Sequence, residues 1–251
     1  MSTKYISDIL FDNTLEPSSY LQNLPVIRHL AAHGRLTLSS DVTFFVGENG
    51  TGKSTLLEGI AVAYGFNAEG GSRNFNFSTN DTHSELWKHL TLAKKGYPKD
   101  GFFLRAESLY NVATNIDKMD EAPSFDPPVI EGYGGISLHR QSHGESFLAI
   151  VQNRFYGKGL YILDEPEAAL SPMKLLTLMA EIHTLVNKDS QFIIATHSPI
   201  LMTFPNAEIL EFSQDGINKR CYSETEHYQI TKSFLENPQR MLQYLMEESN
   251  E

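Results

Sequence analysis

Cysteine is nearly absent from this chain. Cys221 is the single one among 251 residues, which excludes an internal disulfide and fits a reducing compartment. Nothing approaches the ~20 consecutive apolar residues of a membrane-spanning helix. The stretch from Met1 to Asp8 also lacks the long apolar run of a signal peptide. These absences predict a soluble, cytoplasmic protein without membrane insertion. Basic charge is scarce as well: 20 Lys and Arg stand against 31 Asp and Glu, for a formal net charge of −11. A chain that grips nucleic acid alone is more often basic, so a nucleic-acid partner would need a local basic groove. Internal repeats, low-complexity tracts and heptad stretches are missing too. What is present is 41% hydrophobic residues, enough for a sizeable core, on a length that suits one large α/β domain or two small ones.

Hydrophobic periodicity sets out the elements. Apolar, β-branched runs predict strands at 35–38, 42–46, 101–107, 160–163 and 192–195, with an edge strand at 209–212. Helical spacing predicts helices at 54–64, 82–92, 144–153 and 172–187. The tail from about residue 228 reads as helical, with Asn237 capping a last helix that begins at Pro238. Residues 67–80 read as a loop. The prolines and glycines of 117–135 predict a long irregular segment. Strands alternating with helices give an α/β class with a mostly parallel core sheet. No domain boundary stands out, so the expectation is a single domain over 1–251. It would have N-terminal strands in 1–41, a core in 42–212 and a C-terminal helical tail in 213–251.

Four motifs carry chemistry. Gly47-Glu48-Asn49-Gly50-Thr51-Gly52-Lys53-Ser54 fits the phosphate-binding pattern G-x-x-x-x-G-K-[ST]. It lies between a strand pattern and a helix pattern, which sets a helix's positive end at the phosphates. The glycines let backbone N–H groups turn inward around a diphosphate. Lys53 would reach the β- and γ-phosphates, and the Ser54 hydroxyl would hold Mg²⁺. The strand 160–163 runs into Asp164 and Glu165. Asp164 at a sheet's carboxyl edge can hold Mg²⁺ beside Ser54, and Glu165 can serve as general base toward water. His197 follows the strand 192–195 and is placed to donate to a γ-phosphate, while Ser198-Pro199 also reads as a plain helix start. Ser142-x-x-Glu145 is a capping box by pattern, and a serine at a helix N-terminus is equally an anion site.

The order of these motifs resembles that of the ATP-binding-cassette ATPases. Residues 47–54 look like Walker A, 142–145 like the signature motif, 160–165 like Walker B, 169–172 like the D-loop and 196–197 like the H-loop. The resemblance runs from about residue 24 to 212. Gly-Glu-Asn-Gly-Thr-Gly-Lys-Ser, Ser-His-Gly-Glu and Asp-Glu-Pro-Glu-Ala-Ala-Leu-Ser-Pro look more like the soluble SMC- and RecF-type branch and its small predicted ATPases than like transporters. Two departures stand out. His143 replaces the signature glycine, and Arg105-Ala106-Glu107 replaces the Q-loop glutamine. Glu107 is then either a metal or water contact or a surface acid.

The resemblance implies a P-loop fold with a mixed, mainly parallel sheet flanked by helices. It also implies ATP and Mg²⁺ as cofactors, and a head-to-tail homodimer that sandwiches ATP. Gly47, Asn49, Gly50, Thr51, Gly52, Lys53, Ser54 and Thr55 would bind nucleotide in cis, with Ser54 and Asp164 on the metal. Lys53, Glu165 and His197 would carry catalysis. Ser142, Gly144 and Glu145 would arrive from the partner copy. Arg28, Arg73 and Asn74 are further positions for contact with the nucleotide. The expected role is an ATP-hydrolysing dimerising switch in DNA repair, genome maintenance or defence, with a partner protein such as a nuclease. A transporter's nucleotide-binding subunit and a regulatory module with little turnover are the alternatives.

Overall fold

All six residues from Val42 to Gly47 are buried, so this strand has no face for solvent and must lie within a sheet covered on both sides. The computed structural model describes residues 4–16, 18–73, 84–121 and 127–247. Within these residues the strands are β1 (Ile6–Phe11), β2 (Arg35–Thr37), β3 (Val42–Gly47), β4 (Leu90–Lys94), β5 (Asp100–Arg105), β6 (Gly159–Asp164), β7 (Gln191–Ala195), β8 (Glu208–Ser213) and β9 (Gly216–Arg220). The helices are α1 (Pro25–His33), α2 (Lys53–Tyr64), α3 (Leu109–Glu121), α4 (His143–Arg154), α5 (Pro172–Val186), α6 (Glu226–Glu236) and α7 (Pro238–Glu247).

The central sheet has the order β5-β6-β7-β3-β8-β9. Its first five strands run parallel, and β9 returns antiparallel from β8. A second sheet, β2-β1-β4, is antiparallel throughout. The architecture is thus the expected P-loop α/β class with a mixed, mainly parallel sheet. Strand alternation divides the core. Tyr161 and Leu163 of β6 face one layer with Val112, Ile116, Phe147, Ile150, Leu178 and Ile182 of α3, α4 and α5. Leu160 and Ile162 face the other, with Ile27 and Leu30 of α1, Leu57 and Ile60 of α2, and Ile6, Ile9 and Leu90 of the small sheet.

Three local expectations need correcting. The helix expected at 82–92 is, within 84–92, a 3₁₀ turn at Glu85–His89 followed by β4. The edge of β1 takes up the backbone of Leu90–Lys94, and this pairing outweighs a helical spacing only a few residues long. The irregular stretch 117–135 begins inside α3, whose Leu109, Val112, Ala113 and Ile116 are buried at helical spacing, and it later holds a 3₁₀ turn at Val129–Tyr133. The strand at 209–212 is not at the edge, because β9 covers it. Asn237 does cap α7, its side chain accepting from the Arg240 amide at 3.2 Å.

Candidate nucleotide site

The register of the central sheet brings distant motifs to one level. Arg105 pairs with Asp164, Asp164 with Ala195, and Ala195 with Phe45, two residues before the end of β3. The chain segments that leave these carboxyl ends therefore converge on a single crevice, where open α/β sheets bind ligands.

The first segment is the glycine loop. Gly47 has a φ of +130°, and a Cβ there would lie 2.1 Å from the Phe212 carbonyl oxygen, so β8 and the loop touch only because this side chain is missing. Gly52 lies against α1, where a Cβ would meet Val26 Cγ1 at 2.3 Å. Glu48, Asn49 and Gly50 stay exposed, whereas Thr51 is buried and its hydroxyl donates to the Glu48 carbonyl at 2.8 Å. Lys53 opens α2 with its ammonium drawn across the loop, donating to the carbonyls of Gly47 (2.6 Å) and Glu48 (2.8 Å). Burial lowers its pKa, against the opposing pull of Glu165 and Asp164. Thr55 is half-buried one residue further on.

Ser54 Oγ donates to Asp164 Oδ1 at 3.0 Å. Asp164 is nearly dry, and burial pushes its pKa up to about 6 despite Arg105 and Ser54, which favour the ionised form. Two hard oxygen donors side by side at a helix start suit Mg²⁺, which takes one or two protein oxygens and completes its shell with phosphate and water. The described residues hold no group of three or more His, Cys, Asp or Glu that could hold a metal ion by itself.

Glu165 follows in a left-handed conformation (φ 48°, ψ 53°) that a side chain larger than glycine's seldom adopts. Its carboxylate is 42% exposed and lies 3.6 Å from His197 Nε2. His197 Nδ1 shares a hydrogen bond with His227 Nε2 at 2.9 Å. Burial, then Lys53 and His227, lowers the His197 pKa to about 4, so its ring is neutral near pH 7.

Three residues of this crevice escaped the sequence reading. Arg105 makes an ion pair with Asp164 (Nε to Oδ2, 3.3 Å) and hydrogen bonds to Glu58 (2.8 Å) and Glu107 (2.6 Å). One guanidinium thus gathers three carboxylates, and the exposed Glu107 is the outermost of them. The available signal was an arginine ending the strand that pairs with the Asp164 strand. Half-buried Glu167 accepts from the Thr196 hydroxyl at 2.8 Å and from the His197 amide, which fastens the turn after β6 to the segment after β7. Burial raises its pKa. His227 had no local signal, because it arrives from the C-terminal helices.

Ser142, Gly144 and Glu145 lie elsewhere. Among the described residues no hydrogen bond or ion pair joins them to the phosphate loop. They form a capping box at the start of α4, with Glu145 Oε2 accepting from the Ser142 amide at 2.9 Å. Gly144 packs so closely that a Cβ would come within 2.7 Å of the Ala169 carbonyl. Arg28 is exposed on α1. Arg73 instead packs on the Tyr64 ring, 5.8 Å from its centroid. That contact is at the far end of α2, whose 12 residues span about 18 Å, so the expectation for Arg73 fails. Asn74 lies outside the described residues.

Comparison with known proteins follows the same lines. A family model described as an AAA domain matches residues 22–108. A second, described as "AAA domain, putative AbiEii toxin, Type IV TA system", matches residues 136–203. The "Retron Vc95 probable ATPase" of Vibrio cholerae serotype O1 biovar El Tor is 28% identical over 119 residues. That match takes in 41% of this chain but 23% of the relative, so the chain aligns with about a quarter of that protein's length. Among solved structures, cbiO1 from Clostridium perfringens, part of the ABC transporter complex cbiONQ, superposes with a TM-score of 0.52 at 16% identity, over 97% of this chain and 100% of that one. MJ1267, an ATP-binding cassette of an ABC transporter, gives 0.52 at 15% identity over 96% and 99%. At these identities the likeness is one of fold. No helix among the described residues is long and apolar enough to cross a membrane.

Proposed function

We propose that this chain, a P-loop ATPase of ABC-like fold, binds Mg-ATP in the crevice at the carboxyl edge of its central sheet and uses hydrolysis to switch a head-to-tail homodimer. The observation that supports the reading is the register that brings the carboxyl ends of β3, β6 and β7 to one level, together with the Ser54–Asp164 hydrogen bond and the approach of Glu165 to His197. The loop from Gly47 to Gly52 would cradle the phosphates with backbone N–H groups, aided by Lys53. Thr55 would stand behind Ser54 on the same first turn of α2. Ser54 and Asp164 would hold Mg²⁺, which supplies neutralisation of phosphate charge when bound. Glu165 would orient and deprotonate the attacking water. His197, neutral, would donate from Nε2 toward the terminal phosphate. Phosphoryl transfer needs alignment and charge stabilisation more than covalent chemistry, and these residues are of that kind.

Ser142 and Glu145 are exposed and Gly144 is buried, at a helix start that carries its own capping box away from the loop. Their place is then on a second copy, closing the site in trans. ATP would hold two acidic subunits together, and hydrolysis would let them part. A role in defence, alongside a partner such as a nuclease, is supported by the likeness to the retron ATPase and to the second AAA model. The deficit of basic charge favours a protein over nucleic acid as first contact.

Light scattering of Glu165→Gln with and without Mg-ATP tests this reading. The mass should double only with nucleotide. Lys53→Ala should remain monomeric and bind ATP about 10- to 100-fold more weakly, the worth of a charge-assisted hydrogen bond of about 1.5–3 kcal/mol. Hydrolysis by Glu165→Gln at the wild-type rate, or a mass unchanged despite bound ATP, would refute the base assignment or the homodimer respectively.

A further inference from the structure

His227 is the second residue of α6, from a segment that the motif pattern does not reach. Its position is built into the fold. The Glu226 amide donates to Glu211 Oε1 on β8 at 3.1 Å, the buried Thr225 hydroxyl donates to the Tyr222 carbonyl at 2.8 Å, and the Tyr222 and Tyr228 rings pack 4.5 Å apart. This frame holds His227 Nε2 at 2.9 Å from His197 Nδ1. The two outer nitrogens, His197 Nε2 and His227 Nδ1, are buried and have no hydrogen-bond partner in the chain.

A hydrogen bond between two imidazole nitrogens needs one N–H and one lone pair, so two arrangements exist for a pair of neutral rings. If His197 donated from Nδ1, its bare Nε2 lone pair would face the Glu165 carboxylate 3.6 Å away, and lone pair would oppose negative charge. If His227 donates from Nε2, His197 carries its proton on Nε2, and that N–H faces the Glu165 carboxylate. The second arrangement is electrostatically favoured, and it alone leaves His197 a donor at Nε2.

We propose that His227 is a positioning residue. It holds His197 in the Nε2–H tautomer, aims that N–H into the crevice, and so makes turnover depend on where α6 and α7 sit. The functional half of this statement rests on the reading of His197 as donor to the terminal phosphate, whereas the tautomer does not.

Two measurements separate these parts. Two-bond ¹H–¹⁵N correlation spectra of the full chain without nucleotide should show His197 protonated at Nε2 and bare at Nδ1, and His227→Ala should turn His197 into a tautomer mixture. A wild-type His197 protonated at Nδ1 overturns the proposal whether or not the protein hydrolyses ATP. In steady-state ATPase assays His227→Ala should lower kcat about 10- to 100-fold, by analogy with the loss of an outer hydrogen-bond partner of a metal-bound imidazole. KM for ATP should stay within about twofold. His227→Gln, which keeps an N–H near the same place, should restore most of kcat. Equal loss in both variants, or a changed KM with kcat spared, overturns the positioning role. If the wild-type chain hydrolyses no ATP, the proposed function fails instead, and the spectra still decide the tautomer.

Discussion

At the scale of single residues, charge pairing around Asp164 dominates the crevice. The Arg105 side chain is 16% exposed, and its partners Asp164 and Glu58 are 6% and 13% exposed. Arg105→Met would leave two nearly dry carboxylates without the guanidinium they share. Breaking a buried pair from one side costs about 3–5 kcal/mol, and urea unfolding should show a loss near the lower figure. Glu58→Gln in the same chain should recover part of it. A loss below about 0.5 kcal/mol would mean that the crevice is wetter than its geometry implies. His197 gives a pH dependence of definite sign. Its pKa falls to about 4 in the fold, below the ordinary histidine value of about 6.5. The unfolded chain therefore takes up the proton first, and stability drains away as pH falls from about 6.5 toward 4. His197→Gln lacks this contribution. The melting temperature of the wild type minus that of the variant should shrink across this window, and a difference that stays flat would show that the ring is not held neutral.

At the scale of elements, caps and strand edges explain both what was foreseeable and what was not. The box Ser142-x-x-Glu145 was legible because it is a local pattern, and it forms as written. Whether Ser142 also binds phosphate in trans is separable from capping. Ser142→Ala should cost about 1 kcal/mol of stability through the lost cap. Under the proposed function it should also weaken ATP-dependent dimerisation of Glu165→Gln. Ser84→Ala, which removes the cap of the 3₁₀ turn at Glu85–His89, should likewise cost stability and leave dimerisation intact. Identical effects of the two variants on dimerisation would reduce Ser142 to a cap. Helix α3 had its signal in Leu109, Val112, Ala113 and Ile116, but the neighbouring prolines and glycines drew attention to the irregular stretch beyond it. No such signal existed for β4, since Leu90–Lys94 becomes a strand only through the edge of β1.

At the scale of the molecule, the two sheets share one core layer. Ile6 and Ile9 of the small sheet pack in the same cluster as Phe45 and Ile193 of the large one. Buried Gln191 on β7 stitches them together, accepting from the amides of Tyr5 and Ile6 at 2.7 and 2.9 Å and donating to the Ile6 carbonyl at 2.8 Å. The small sheet has no core of its own to melt around, because its buried apolar residues all belong to the layer it shares with the large sheet. Calorimetry should therefore record one unfolding transition for the whole chain, moved upward by Mg-ATP through its preference for the folded state. Two separate transitions would argue against the single-domain proposal for 1–251.

The sequence by itself determined the α/β class, the phosphate-loop and Asp-Glu motifs and the capping box. Each rests on neighbours along the chain: strand then glycines then helix, apolar run then acids, serine then glutamate. Tertiary structure alone decided what stands around them. The register of β5, β6 and β7 brings Arg105 to Asp164, and the C-terminal helices bring His227 to His197 across 30 residues. These contacts arise from sheet order and helix packing, which depend on the whole core at once, and no local pattern of residues encodes them.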